Sequence, residues 1–290
     1  MILSLQNVSK TYSNGVKAMD QISFDLSPGM LGLLGPNGAG KSSLMRTIAT
    51  LQLPDSGKLY FNDLDIFSNK TAFRKHLGYL PQEFGVYPKE TAYGLLNYFA
   101  LLKGISSKKD RNKMVDSVLE LTNLQEVRKK RVSTFSGGMK QRFGIAQLLL
   151  NQPKVIIVDE PTAGLDPAER TRFLNVLRNI GSKNIVLFST HLVEDVKELC
   201  KDMAIINKGK LITQVAPSRA TEILKGKIWE TELTEKELSE SSLPLLTLSK
   251  KYNEANQEVS RIYAERCPFE SCRLVSPKLE DFYFLTLKSG

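Results

Sequence analysis

The sequence predicts an α/β fold around a mainly parallel β-sheet, and three observations lead to that prediction. Residues 155–158 and 185–188 are short apolar runs rich in Val and Ile, which is typical of strands buried on both faces of a parallel sheet. Helical patterns at 167–180 and 193–199 follow these two runs. Such alternation of strands and helices is the pattern of an α/β domain.

Two parts of the chain depart from this alternation. Residues 91–150 are helical in pattern and poor in strands, so we interpret them, with bounds of about 88–150, as a helical subdomain inserted into the core. After residue 217 the motifs end, and residues 218–290 combine weak strands with a final helical pattern at 277–287. The sequence thus predicts a main domain at 1–217 and a small C-terminal α+β appendage at 218–290.

The composition is that of an ordinary globular protein, with 41% hydrophobic residues, 24% charged residues and a formal net charge of +9. Basic runs at 108–113 and 128–131 have no interleaved stacking aromatics, so we expect no nucleic-acid partner. We interpret these runs as solvated faces, with attraction to an anionic membrane surface or to nucleotide as the alternative. No apolar run approaches the roughly 20 residues that span a bilayer, and we expect no signal peptide. A role at a membrane would therefore need a second chain.

The strongest motif is a G-x-x-x-x-G-K-S loop between an apolar run at 30–34 and a helical pattern at 42–50. Its glycines allow backbone N–H groups to point at phosphates, and the helix adds the positive end of its dipole. Lys41 is expected to reach the β- and γ-phosphates, and the Ser42 hydroxyl to coordinate Mg²⁺. We assign nucleotide binding to Gly35, Pro36, Asn37, Gly38, Ala39, Gly40, Lys41, Ser42 and Ser43.

The second motif is the apolar run at 155–158 followed by the carboxylates of Asp159 and Glu160. At the end of a buried strand, Asp159 is placed to hold Mg²⁺, and Glu160 is placed to polarise an attacking water molecule. Solvated acids after a strand are the alternative, but the phosphate loop in the same chain favours catalysis. Together the two motifs predict a P-loop nucleoside triphosphatase.

A third motif, Ser136-Gly137-Gly138, opens a predicted helix that runs to about Leu149. The N-terminus of this helix is a second anion site of the same physical kind as the phosphate loop. One ATP does not need two such sites from one chain, so we predict that this site serves ATP bound to another copy of the domain. Taken alone, the motif could equally be a capped helix start.

In this order the motifs resemble those of the nucleotide-binding subunits of ABC transporters, over about residues 1–217. The resemblance implies that Tyr12 stacks on adenine, that Gln82 senses the metal, the water and the membrane partner, and that His191 contacts the γ-phosphate. It places Asp166 in the loop after Glu160, which the family calls the D-loop. The implied catalytic residues are Lys41, Gln82, Glu160 and His191, and the implied metal ligands are Ser42, Gln82 and Asp159.

The resemblance also implies an architecture and partners. It implies a P-loop NTPase core with an antiparallel β subdomain, ATP and Mg²⁺ as cofactors, a second nucleotide-binding subunit in an expected homodimer, and a multi-span membrane permease. It places the chain in the cytoplasm, peripheral on the inner face of the cell membrane. Two positions depart from the usual signature, because Phe135 stands for Leu and Met139 for Gln. Met139 lacks a polar group for a ribose contact, so we expect altered nucleotide affinity.

The subclass rests on a few segments. Residues 83–88 and 277–282, together with Met139, resemble subunits of ABC-2-type exporters, which favours export over import. One alternative is a soluble ABC ATPase that remodels a ribosome or DNA complex, although the soluble translation-type members usually carry two cassettes per chain. Another is a regulatory cassette that controls a membrane protein without transport.

Overall fold

The computed structural model describes residues 1–85, 89–233, 237–238 and 245–289. Residues 86–88 lie outside the described residues, as does residue 290. The predicted helical subdomain begins at about residue 88, and the exporter-like segment 83–88 ends there, so both predictions fall partly on these residues. The described residues form three β-sheets with helices around them. The strands are β1 (Leu3–Thr11), β2 (Lys17–Leu26), β3 (Gly29–Leu34), β4 (Ser56–Phe61), β5 (Leu64–Asp65), β6 (Leu77–Leu80), β7 (Val155–Asp159), β8 (Ile185–Ser189), β9 (Asp202–Asn207), β10 (Lys210–Val215), β11 (Ile228–Thr231), β12 (Leu246–Tyr252), β13 (Glu258–Tyr263) and β14 (Arg273–Leu274).

The α-helices of the described residues surround these sheets, and two 3₁₀ turns precede α5, at Gln125–Val127 and Val132–Thr134. The α-helices are α1 (Lys41–Ile48), α2 (Lys70–Arg74), α3 (Ala92–Leu102), α4 (Lys108–Leu121), α5 (Gly137–Leu149), α6 (Pro167–Gly181), α7 (Val193–Leu199), α8 (Pro217–Ile223) and α9 (Leu279–Ser289).

The central sheet has the strand order β10-β9-β3-β8-β7-β6, and all its pairings are parallel except that of β10 with β9. Strand β7 shows why its sequence is continuously apolar: Val155 and Ile157 join the apolar cluster on one face, and Ile156 and Val158 join the cluster on the other. An antiparallel sheet, β2-β1-β4-β5, packs over the first face. The predicted fold class is confirmed.

The helices α3, α4 and α5 share an apolar cluster of their own. Phe84 packs against this cluster and against the cluster of the central sheet. The segment after Gln82 therefore connects the sheet with the helical region.

Beyond α8, the strands β12, β13, β11 and β14 form an antiparallel sheet in that order. The terminal helix α9 touches both parts of the chain. Leu279 is buried in the cluster of the central sheet, whereas Phe284 and Leu285 pack against the appendage cluster and Phe282 packs against both. The position of the boundary between the two domains, near residue 217, stays a prediction.

Candidate nucleotide site

The phosphate loop joins β3 to α1 and borders a cavity of about 500 Å³. Gly40 has a φ of 108°, and a Cβ at this position would lie 2.1 Å from the carbonyl oxygen of Ala18. A Cβ on Gly35 would lie 2.3 Å from the carbonyl oxygen of Ile206. Both positions therefore require glycine. Helix α1 begins at Lys41, and its N-cap residue Gly40 has no side chain to cap it, so the first N–H groups of the helix can donate to an anion.

The cavity gathers most of the residues predicted to bind nucleotide. All of its lining residues except Val16 and Ala18 were predicted from the sequence. The lining consists of Tyr12, Val16, Ala18, Asn37, Gly38, Ala39, Gly40, Lys41, Ser42, Ser43, Gln82 and Glu160.

Lys41 is almost fully buried and held by its own loop. Its Nζ donates to the carbonyl oxygens of Gly35, at 2.7 Å, and Pro36, at 3.2 Å, and lies 3.8 Å from Glu160 Oε1. Burial lowers the pKa of Lys41, and the nearby charges of Glu160 and Asp159 only partly oppose that effect. A further negative charge in the cavity would stabilise the ammonium group.

Tyr12 lies at the edge of the cavity and is 37% exposed. Its hydroxyl is 3.0 Å from Ser43 Oγ and donates to Gln52 Oε1 at 3.1 Å. The side chain is thus fixed at its polar end, while stacking on adenine stays a prediction.

The carboxylates of Asp159 and Glu160, at the end of β7, are arranged by a serine on the neighbouring strand. Ser189, at the end of β8 and fully buried, donates to Asp159 Oδ1 at 2.6 Å and accepts the backbone N–H of Glu160 at 2.9 Å. Glu160 has a φ of 43°, a left-handed conformation that non-glycine residues rarely adopt and that concentrates at functional sites. His191 lies two residues after Ser189, and its Nδ1 is 3.2 Å from Glu160 Oε2.

The Ser-Gly-Gly turn lies at the start of α5. Ser136 Oγ accepts the backbone N–H of Met139 at 3.2 Å, so the serine caps its own helix. A Cβ on Gly138 would lie 2.2 Å from Glu169 Oε2, so glycine makes room for this carboxylate. Glu169 forms an ion pair with Arg142, which is 5% exposed.

The D-loop leads into α6. Asp166 caps this helix, because its Oδ1 accepts the backbone N–H of Glu169 at 2.9 Å. Asp166, Ser136 and Gly137 are exposed. Glu169 therefore links α5, through its ion pair with Arg142, to the D-loop, where Asp166 accepts its backbone N–H.

The structure does not place every predicted residue at the cavity. Ser136, Gly137, Gly138 and Asp166 are absent from its described lining. Gly35 and Pro36 contribute carbonyl acceptors for Lys41, and Asp159 and His191 join the site through contacts with Ser189 and Glu160.

Sequence reasoning missed the roles of Ser189, Arg142 and Glu169. A signal for Ser189 exists, since it ends the parallel strand beside Asp159 and lies opposite it in register. The Arg142–Glu169 pair joins residues 27 positions apart, and no local pattern predicts it.

Comparison with known proteins identifies the family of this chain. The family model described as ABC transporter matches residues 19–163, which is half of the chain. The chain belongs to the ABC transporter ATP-binding family. It is therefore an ATP-binding ABC ATPase subunit of a transporter.

Individual relatives agree with this family. An uncharacterised ABC transporter ATP-binding protein of Bacillus subtilis, YxlF, is 36% identical over 211 residues, covering 72% of this chain and 69% of the relative. The linearmycin resistance ATP-binding protein LnrL of the same species is 35% identical over 214 residues, covering 73% and 68%. The structure of cbiO1 from Clostridium perfringens, part of the ABC transporter complex cbiONQ, superposes with a TM-score of 0.69 at 27% identity, covering 75% of this chain and 89% of that one.

Within the described part of the chain, no helix has both the length and the apolar character needed to cross a bilayer.

Proposed function

We propose that this ABC subunit hydrolyses ATP as one half of a head-to-tail pair of cassettes and thereby drives an exporter. One observation carries the proposal. Among the described residues, the starts of α1 and α5 both contain glycines and suit anions, but only that of α1 borders the described cavity, while Ser136 at the start of α5 is exposed and is not among the lining residues. A second cassette, identical in a homodimer, would bring its Ser136 and Asp166 to this cavity and receive the same in return.

The hydrolytic chemistry is assigned to the residues around Glu160. Its carboxylate orients the attacking water and accepts its proton. Lys41 and His191 stabilise the charge that develops on the γ-phosphate. Ser189 keeps Glu160 in place through the backbone N–H and Asp159 through its side chain.

Mg²⁺ fits the oxygen donors present. Ser42, Gln82 and Asp159 offer a hydroxyl, an amide oxygen and a carboxylate, which suit a hard cation. The described residues contain no group of three acidic, His or Cys side chains placed for a metal, so we assign the remaining ligand positions to water and phosphate oxygens. When bound, Mg²⁺ neutralises phosphate charge.

A mixing experiment tests the head-to-tail arrangement. Ser136→Arg should leave ATP affinity of the isolated subunit unchanged, because the α1 loop supplies its phosphate contacts, and should abolish ATP-driven dimerisation and cooperative hydrolysis. Mixed with Lys41→Ala subunits, it should regain part of the activity, since one composite site then has both residues intact. Ser218→Arg, an exposed serine at the start of α8, is the control. Loss of monomer ATP affinity in Ser136→Arg, as large as in Lys41→Ala, would contradict the arrangement.

The helical region is proposed to face the membrane permease, which would hold the subunit at the cytoplasmic face of the cell membrane. Tyr98, Leu101 and Leu102 on α3 are 51%, 48% and 64% exposed, and exposed apolar surface of this kind favours a protein partner. Gln82 lines the nucleotide cavity, and Phe84 packs against the same helical region. This path would carry a change at the nucleotide to the permease.

Export is favoured by the resemblance of Met139 and of residues 277–282 to ABC-2-type exporters, and by the relative named for linearmycin resistance, since resistance follows when a compound is moved out of the cell. The test is a deletion strain, screened for sensitivity to toxic compounds and complemented with wild type or Glu160→Gln. Sensitivity corrected by wild type alone supports export, and a nutritional requirement corrected in the same way points to import. Purification of the tagged subunit tests the partner: a permease supports transport, and a ribosomal complex contradicts it.

A further inference from the structure

Asp195, on α7, is a fully buried carboxylate that three other elements contact. Its Oδ2 accepts from Thr162 Oγ1 at 2.8 Å and from Thr190 Oγ1 at 3.3 Å, and its Oδ1 accepts from Arg170 Nε at 2.6 Å. Thr162 follows β7, Thr190 follows β8, and Arg170 lies on α6. One side chain thus joins α7 to the segment after β8, five residues before it, and to the segment after β7 and helix α6, which lie 33 and 25 positions before it.

The two threonines flank the reacting pair. Thr162 lies two residues after Glu160, and Thr190 comes immediately before His191. Thr190 Oγ1 also accepts the backbone N–H of Leu192 at 3.0 Å, so the backbone on both sides of His191 is held. Ser189 ties the same two segments where they leave the sheet, and Asp195 ties them again at Thr162, after Glu160, and at Thr190, before His191.

The charge of Asp195 gives these contacts their strength. Hydrogen bonds to an ionised acceptor are about twice as strong as neutral ones. A buried carboxylate without a partner is expensive, and here Arg170, whose side chain is 27% exposed, supplies the opposite charge. Because Arg170 lies in the first turn of α6, whose N-cap is Asp166, the same carboxylate also fixes the end of the D-loop.

We propose that Asp195 is a positioning residue for ATP hydrolysis, which holds Thr162 and Thr190 so that Glu160 and His191 face each other across the cavity edge. The proposal rests on the hydrolytic roles proposed above for Glu160 and His191. Asp195 itself touches neither the cavity nor, in that scheme, the nucleotide. Its removal should therefore change turnover and leave nucleotide binding intact.

Threonine variants test this without removing the buried charge. Thr162→Val and Thr190→Val keep the shape of each side chain and delete its hydrogen bond to Asp195, while Thr162→Ser and Thr190→Ser keep the hydroxyl. We expect each Val variant to lower single-turnover hydrolysis on the order of 10-fold, because misplacing a reacting group by about 1 Å costs up to about 100-fold. ATP affinity and KM should stay within about two-fold, and the Ser variants should regain most of the rate.

The matched control is Thr122→Val, because Thr122 is also fully buried but donates to the backbone carbonyl of Val118 in the helical region. A merely structural role for Asp195 predicts that the Val variants lose thermal stability as Thr122→Val does and keep the wild-type rate, which would overturn the proposal. Asp195→Asn serves as a second variant: normal turnover in it would also overturn the proposal. If Glu160→Gln itself hydrolyses ATP normally, the assignment of Glu160 has failed instead, and the two failures are thereby distinguished.

Discussion

Two buried cations in this protein, Lys41 and Arg261, occupy opposite electrostatic environments. Both are about 95% buried. Lys41 donates to two backbone carbonyls and has its nearest carboxylate at 3.8 Å. Arg261 donates to both oxygens of Asp281, at 2.9 and 2.6 Å, and to Glu230 at 2.9 Å.

The pKa values of the two cations move in opposite directions. Burial lowers the pKa of Lys41, whereas the hydrogen bond to Asp281 raises the pKa of Arg261 more than its burial lowers it. A buried charge that is incompletely neutralised and borders a cavity is poised for an anionic ligand. A buried charge that is fully paired fixes structure, and Arg261 fixes α9 against the appendage sheet.

The largest effect should come from the nucleotide site, where the charges serve chemistry. Replacing Glu160 by Gln keeps its shape and removes the charge that orients water, so turnover should fall by about 100-fold or more. ATP binding should persist, and an ATP-bound dimer should accumulate. Steady-state hydrolysis, ATP titration and size-exclusion chromatography with ATP measure these outcomes, and near-normal hydrolysis would remove Glu160 from its assigned role.

The appendage charges should instead matter for stability. Arg261→Met leaves Asp281, which is 1% exposed, without its cation, and breaking a buried pair in this way costs about 3–5 kcal/mol. The free energy of unfolding in denaturant should fall accordingly. The matched variant is Lys41→Met, which should lose ATP affinity but change the unfolding free energy by less than about 1 kcal/mol, because the carboxylate nearest to Lys41, that of Glu160, lies at 3.8 Å and not in hydrogen-bond contact. Equal destabilisation by both variants would contradict the contrast drawn between the two cations.

The same contrast explains what the sequence could predict. The phosphate loop, Asp159 and Glu160 are identified by neighbours within a few positions, and His191 is implied by the resemblance. Parallel strands bring such strand ends to one edge of a sheet. Contacts such as Ser189 with Asp159, or Asp195 with Thr162, join residues about 30 positions apart. They depend on which strands pair, and local patterns do not encode that.

The appendage strands were weakly predicted for a related reason. Glu230 on β11 and Arg261 on β13 are 7% and 6% exposed, but a hydrophobicity pattern treats charged residues as solvated. Their pairing in register across the sheet is what makes them interior residues. Strand β9, by contrast, contains the apolar run 203–206, which is typical of a buried strand and is recognisable in the sequence.

Low pH should destabilise the appendage through protonation of Glu230. Burial tends to raise the pKa of Glu230, but hydrogen bonds from Lys251, Arg273 and Arg261 together lower it to about 2. Because the folded-state pKa lies below the ordinary value of 4.5, Glu230 stabilises the fold above that value and loses this effect as the pH falls toward about 2. The difference in unfolding free energy between wild type and Glu230→Gln should therefore shrink between about pH 5 and pH 2. The control Glu222→Gln, in an exposed pair with Arg219, should show no such trend.

The smallest effect should appear when the appendage is tested for a part in nucleotide binding. In a chain shortened to residues 1–217, every residue that lines the nucleotide cavity is retained, so ATP affinity should stay within about three-fold of wild type. Stability should fall all the same, because this removes Leu279 and Phe282 of α9 from the apolar cluster of the central sheet and uncovers that surface. Leu279→Ala in the full chain separates the two effects, since it deletes one buried contact and keeps the appendage. Titration with a fluorescent ATP analogue and thermal unfolding of both proteins provide the measurements. A large loss of ATP affinity in the full-length Leu279→Ala variant would show that α9 acts on the nucleotide site. The assignment of binding to the surroundings of Lys41 and of stability to the surroundings of Arg261 would then be wrong.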